Sequence, residues 1–226
     1  MVYSRKKHSV PQVIMNPITK IFIIGLPRTG TTSVCHAFLQ LGFSCAHTAY
    51  TKQCFNQAQV IADTPIFNDY EYLDSLYPGA KFIYLEREAE KWLPSIRQLL
   101  LRMHTNLMRE DGGFNPHIKR CYLHTFGSFS INELHNDAYL QQCYEQHKSA
   151  AHNYFAKRAA DFLSIDIAHS NSFNQLCDFL QLQTELTKFE KMNIGGKVTA
   201  WNAIKHPLKV ASTANGKIDK YLYPTS

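Results

Sequence analysis

The sequence predicts a single α/β domain with a mostly parallel central sheet covered by helices on both faces. Three observations carry that prediction. Two short, continuous apolar runs, "KIFIIGL" (20–26) and "AKFIYLER" (80–87), have the pattern of strands buried on both faces. Segments of helical periodicity alternate with such runs along the chain, which is how a parallel sheet is connected. A glycine-containing turn, "GLPRTGTT" (25–32), joins the first strand directly to the first helix.

The elements follow in order. Residues 1–18 are expected to be an N-terminal tail, with Arg5, Lys6, Lys7 and His8 as a solvated basic run. After Gly30 the period changes: Val34, Ala37, Phe38 and Leu41 share one helical face, and Gly42 is a ready C-terminal stop. "QVIAD" (59–63) reads as a short strand. A helix over about 68–76, ended by Pro78-Gly79, leads into the second buried strand, and a long helix spans about 88–108. Residues 109–135, rich in Gly, Asn, His and Phe, are expected to form an irregular insertion or lid. A second long helix over about 136–160, a third buried strand "DFLSIDI" (161–167) and an amphipathic helix at 172–180 complete the core. In the region 197–226, Asn215-Gly216 between alternating segments signals a C-terminal hairpin.

Composition narrows the function. The chain has 226 residues, enough for one sizeable core, and a net charge of +6 from 24 Lys+Arg and 18 Asp+Glu. That balance favours an anionic ligand, but the charge is dispersed and no groove-reading motif is present, so nucleic acid is not the expected partner. The six cysteines lack metal-ligand spacing and read as reduced thiols of a cytoplasmic protein. No run approaches the length of a membrane span, and no signal-peptide core is visible, so integral membrane association is not expected.

The turn at 25–32 has the G-x4-G spacing of a nucleotide-binding P-loop, but Thr31 stands where the lysine of G-x4-G-K-[ST] belongs. Such a loop aims successive backbone N–H groups at one anion, helped by the positive end of the following helix. Without the lysine that reaches a γ-phosphate, and with Glu86 followed at once by Arg87 rather than a clear magnesium ligand, the implied ligand carries a phosphate and a transferable end of lower charge. No metal is required.

"PRTGTT" (27–32) resembles the 5′-phosphosulfate loop of the sulfotransferases, which use 3′-phosphoadenosine-5′-phosphosulfate (PAPS) without a metal and release PAP. The resemblance implies a P-loop-type three-layer fold and assigns Pro27, Arg28, Thr29, Gly30, Thr31 and Thr32 to the 5′-phosphate, with Arg28 also stabilising charge on the bridging oxygen. The family holds the 3′-phosphate with an Arg at a strand end and a Ser eight residues later, which here are Arg87 and Ser95. The order of "LQLGF", "ADTP", "YPGAKFIYLER" and "FLSIDI…FNQLCDFL" is similar to a soluble, bacterial-type branch. The R-x-G-x-x-G loop that covers adenosine in cytosolic animal members is absent.

Transfer to an alcohol needs a general base. Asp63, 24 residues before Arg87, occupies the place of the family's His-x-Pro histidine, and His47 in "FSCAHTAY" is the alternative; His104, Glu71 and Lys52 are weaker. The acceptor is a small molecule, glycan or lipid, with specificity expected in 44–58, 109–135 and the C-terminal hairpin. Two rival readings stand beside this one: a small-molecule kinase with a degenerate P-loop, and a PAP-binding protein without turnover.

Overall fold

The computed structural model describes residues 20–190, 192–194, 197–198 and 201–211. Its centre is a five-stranded, all-parallel sheet in the order β2-β3-β1-β4-β5. The strands are β1 (Ile21–Ile23), β2 (Cys45–His47), β3 (Val60–Ala62), β4 (Lys81–Glu86) and β5 (Phe162–Asp166). Around them lie α1 (Thr31–Gln40), α2 (Lys52–Gln57), α3 (Tyr70–Leu76), α4 (Ala89–Met108), α5 (Pro116–Phe126), α6 (Ile131–His135), α7 (Asp137–Tyr154) and α8 (Ser172–Leu180). None of these helices is long and apolar enough to cross a membrane.

Strand alternation sorts the core into layers. On β1, Ile21 and Ile23 point into a cluster with Val34 and Phe38 of α1 and Phe173 and Leu176 of α8. Phe22 and Ile24 point the other way, to Phe55 of α2, Leu73 of α3 and Ala151 of α7. β4 repeats the division, with Ile83 and Leu85 in the first cluster and Phe82 and Tyr84 in the second. Both faces of the central strands are therefore covered, which is why these segments read as unbroken apolar runs. A third cluster, built on Trp92 and Ile96 of α4, Tyr122 and Phe126 of α5 and Tyr144 of α7, reaches back to Leu26 of the glycine turn. The chain leaves β1 toward β2 and β3 and later returns to β4 on the other side. The C-terminal end of β1 thus borders the reversal of strand order where ligands bind in open parallel sheets.

Three expectations need amendment, and two elements were not expected. Residues 109–135 are substantially helical, not irregular: Asn115 caps α5 with Pro116 at its first turn, and Ser130 accepts the Glu133 N–H at the start of α6. β5 is the edge strand of the sheet, so of its residues only Ile165 is buried. α7 ends at Tyr154, short of 160. β2 and α2 had no strong sequence signal, since Cys-Ala-His contains no β-branched residue and owes its conformation to pairing with β3. Near the end, a two-residue antiparallel pair, β6 (Asn193–Ile194) and β7 (Lys197–Val198), precedes a short 3₁₀ turn at Trp201–Ala203. The expected tail at 1–18 and the Asn215-Gly216 hairpin lie outside the described residues.

Gly25 is where β1 and β4 come closest beyond their ladder. A Cβ there would lie 2.7 Å from the Leu85 Cβ and 2.8 Å from both its backbone N and O, atoms that cannot rotate away. Gly42 is the control: its φ is +88°, but nothing lies within 4 Å. In urea denaturation Gly25→Ala is expected to lose about 3 kcal/mol through overpacking, against about 1 kcal/mol of backbone strain for Gly42→Ala.

Candidate active site

The turn after β1 is held in an unusual backbone shape. Arg28 has φ 74° and Gly30 has φ 106°. The positive φ at Gly30 favours glycine, and a Cβ there would meet Ile167 Cδ1 at 2.4 Å, so the end of that side chain would have to swing aside. Thr29, only 2% exposed, turns its hydroxyl back to donate to the Leu26 carbonyl at 2.7 Å. Gly30 caps α1 and has no side chain to offer, so no side-chain bond satisfies the first-turn N–H groups of this ten-residue helix. Those groups and the positive end of the helix dipole form an anion cradle.

Neighbouring elements fix the cradle. The Trp92 indole N–H donates to the Pro27 carbonyl at 3.0 Å, and the Arg87 guanidinium donates to the Arg28 carbonyl at 2.5 Å. The Arg87 N–H is itself held by the Tyr144 hydroxyl at 2.9 Å. Arg28 Nε donates to Ser95 Oγ at 2.8 Å. The Arg28 pKa is lowered first by burial and then by the nearby Arg87 and Arg102 guanidiniums. Three positive groups thus converge around one loop.

Beside the cradle is a cavity of about 480 Å³, bounded by Gly30 and Ser33, by Arg87 and Lys91, by the segments 166–170 and 188–190, and by Met192. Phe173 and Phe189 meet edge to face on its apolar side, with ring centroids 5.1 Å apart. Arg87, Lys91 and Lys188 line it with Asp166 and Glu190, which gives it charged and apolar walls together.

On the other side of α1, His47 and Asp63 stand together at the ends of β2 and β3. His47 Nε2 lies 2.9 Å from Thr31 Oγ1 and 3.3 Å from Thr32 Oγ1, while its Nδ1 lies 3.5 Å from Asp63 Oδ2. Trp201 stacks on the imidazole with centroids 5.6 Å apart, and Lys209 Nζ lies over the indole at 5.0 Å. Burial lowers the His47 pKa, a pull that Asp63 opposes and Lys209 reinforces, so the ring is neutral near pH 7. Asp63 has φ 61°, a left-handed conformation that Asp tolerates better than most residues. Its charge helps to push up the pKa values of the buried phenols Tyr50 and Tyr122, both raised chiefly by burial.

The residues singled out in the sequence therefore converge only in part. Pro27 through Thr32 form one loop, and Arg87 lies both against that loop and in the cavity wall. Asp63 and His47, considered as alternatives, touch each other. Ser95 is bonded to Arg28 rather than placed on the cavity beside Arg87. The weaker candidates stand elsewhere: Lys52 opens α2, Glu71 begins α3, and His104 lies against Phe129. Glu86 is occupied by Lys148 and by Ser164, whose hydroxyl donates to it at 2.6 Å. Sequence reasoning missed Lys91, which lies in the first turn of α4, just after Arg87. From the sequence Trp201 reads as packing or as an acceptor contact, with no signal of its place against His47.

An uncapped helix N-terminus thus lies between converging arginines at the switch point of a parallel α/β sheet. Residues 20–52 and 48–198 match the sulfotransferase domain family, and the chain belongs to that family. No curated protein matches it.

The Trp92 bond ties α4 to the backbone of the loop, beside the side-chain bond from Arg28 to Ser95. The Trp92 ring also packs on Tyr144, with centroids 4.8 Å apart, a contact that a phenylalanine retains. Trp92→Phe is thus expected to lower unfolding stability by about 1–3 kcal/mol, because the buried Pro27 carbonyl loses its donor. Urea titration would show it as a shifted midpoint at unchanged slope.

Proposed function

We propose that this protein is a PAPS-dependent sulfotransferase acting in the cytoplasm on a hydroxyl or amine of a small-molecule, glycan or lipid acceptor. The single observation that carries the reading is the cradle at Gly30–Thr32 opening into the 480 Å³ cavity lined by Arg87 and Lys91. It offers backbone donors for one phosphate, cations for a second, and Phe173 and Phe189 as an apolar wall of the kind a base ring requires. The donor's chemistry is transfer of its sulfonate: the acceptor oxygen bonds to sulfur as the bond to the 5′-phosphate oxygen breaks, and PAP leaves.

The chain's own groups take distinct parts. The N–H groups at the start of α1 bind the 5′-phosphate, and Arg28, fixed by Ser95 and by the Arg87 bond to its carbonyl, stabilises the charge that grows there. Arg87 grips the 3′-phosphate with its fork of donors. Asp63 accepts the acceptor's proton, and the buried, neutral Tyr50 and Tyr122 near it keep the surroundings dry enough for that carboxylate to act as a base. All six cysteines are free and buried, which suits a reducing compartment.

PAP binding by calorimetry without magnesium tests the donor site. Arg87→Ala is expected to bind roughly a hundredfold more weakly, the loss of two charge-assisted bonds at about 1.5 kcal/mol each. Arg87→Lys should recover only part of that, since an ammonium lacks the planar fork. Binding of ATP with magnesium but not of PAP would replace this reading with a kinase.

Asp63→Asn separates an enzyme from a binder. It is expected still to bind PAP and, at saturating donor, to lose transfer by about 10²–10⁴-fold, measured with labelled PAPS against an acceptor panel. Transfer that survives the substitution undiminished removes Asp63 as the base.

A further inference from the structure

The lysine missing at position 31 leaves the cradle without the cation that a loop of this spacing ordinarily provides next to its second glycine. The fold brings another basic group to that spot. β2 lies two places from β1 in the sheet, and its last residue, His47, delivers Nε2 to 2.9 Å from the hydroxyl of Thr31 itself. Resting on the donor reading above, we propose that His47 takes up a proton when the 5′-phosphate enters the cradle and supplies the cation that the loop lacks. It is then a donor-binding residue, and the acceptor's proton falls to Asp63.

Hydrogen-bond bookkeeping supports the step. An ionised carboxylate only accepts, so with Asp63 Oδ2 facing Nδ1 the single proton of neutral His47 belongs on Nδ1. Nε2 then presents a lone pair, and the Thr31 hydroxyl donates to it. A hydroxyl has one proton. When Thr31 and its neighbour Thr32, the other hydroxyl within reach of Nε2, both turn their protons to phosphate oxygens, Nε2 is left as a buried acceptor facing an anion. A proton from solvent fills the vacancy, and the imidazolium now lies between two anions, the phosphate and Asp63. Opposite charges within a few ångströms favour the charged form.

The groups around the ring fit a cation that appears only when the donor is bound. Among the described residues, Thr31 and Thr32 face it from α1, Asp63 from the end of β3, and Trp201 with Lys209 from the segment 201–211. Lys209 and burial hold the ring neutral in the empty site. Asp63 alone does not overcome them, and a second anion changes the balance. The Trp201 face adds a cation–π contact once the charge is present. His47 has a 12% exposed side chain, so the charge is poorly screened by solvent and the effect of a nearby phosphate is correspondingly large.

The sign of the linkage follows. A ligand that raises a group's pKa binds with proton uptake. Its affinity is highest below the free-state pKa of His47 and falls as pH rises through the interval up to the PAP-bound pKa. PAP's own phosphates titrate in the same range, so the relevant quantity is the wild-type affinity relative to His47→Gln, an amide that can still donate to the cradle but cannot titrate.

Calorimetric titration of the full chain with PAP, between about pH 5.5 and about pH 8 in two buffers of different ionisation enthalpy, reads the proton balance directly. Wild type is expected to take up more protons than His47→Gln, and the affinity ratio of the two should fall about tenfold toward high pH for each unit by which PAP raises the His47 pKa. Should the variant fail to fold, the His47 ring Cε1 proton is followed by NMR in the wild type, where PAP is expected to move its titration upward. PAP binding with that titration unmoved, or with equal uptake in both proteins, overturns this inference and leaves the donor site standing. No PAP binding by the wild type overturns the donor reading, and this inference with it.

Discussion

The constraint on which the rest of the structure depends is an open helix end. α1 starts at a glycine that cannot cap it, so its first N–H groups are left for an acceptor from outside the chain. An ordinary helix at that place would begin with Ser, Thr, Asp or Asn and close itself. This one is kept open, and its surroundings keep it rigid: Trp92 from α4 holds the Pro27 carbonyl, Arg87 holds the Arg28 carbonyl, and the Ile167 side chain lies over Gly30. The layered core then has a specific purpose. β1 is buried on both faces, and α1 and β4 pack against it, so the end of the strand cannot move relative to the start of the helix.

Backbone strain is concentrated at the same edge of the sheet. Arg28 follows β1 and Asp63 follows β3, neighbouring strands, and both residues have positive φ. A non-glycine residue in that region costs about 1–2 kcal/mol, and it persists only where its surroundings over-determine it. Each of these two residues carries a charge that the proposed chemistry needs: Arg28 is bonded to Ser95 of α4, and Asp63 faces His47 at the end of β2. The scaffold also places His47 between them and the loop hydroxyls, which links the two halves of the site through Thr31 and Thr32.

Much of this was readable from residue pattern. The strands at 20–26 and 80–87 declared themselves because burial on both faces demands unbroken apolar runs, and the loop between β1 and α1 announced itself through glycine spacing. β2 was not readable, because three residues without β-branching become a strand only by pairing with β3. The helices within 109–135 were present in the sequence as caps at Asn115-Pro116 and at Ser130, but the surrounding Gly and Asn residues obscured them. The site was readable as a set of residues and not as a set of contacts. Nothing in the spacing of Asp63 and His47 says that the two touch, because that contact is made by strand order. Nor does the interval from Arg87 to Ser95 say that Ser95 meets Arg28: a helix presents each residue to whatever the fold places opposite it.

Charge balance explains why an empty site of this kind is costly and a filled one is not. Arg28 is partly buried beside Arg87 and Arg102, and all three effects lower its pKa. Arginine does not release its proton at physiological pH, so the lowered pKa marks a charge that is costly to bury first and repelled by its neighbours second. Arg87 shows the same burial effect, opposed by Asp166 across the end of β5. A dianion in the cradle reverses the sign of those interactions, and its binding energy is therefore larger than the new contacts alone supply. This gives the substitution at position 31 a physical sense. A permanent lysine ammonium there would add another fixed positive charge to a cluster that already repels itself when empty. A histidine at the end of β2, two strands from β1, is neutral in that state, and it adds nothing to the repulsion until an anion arrives.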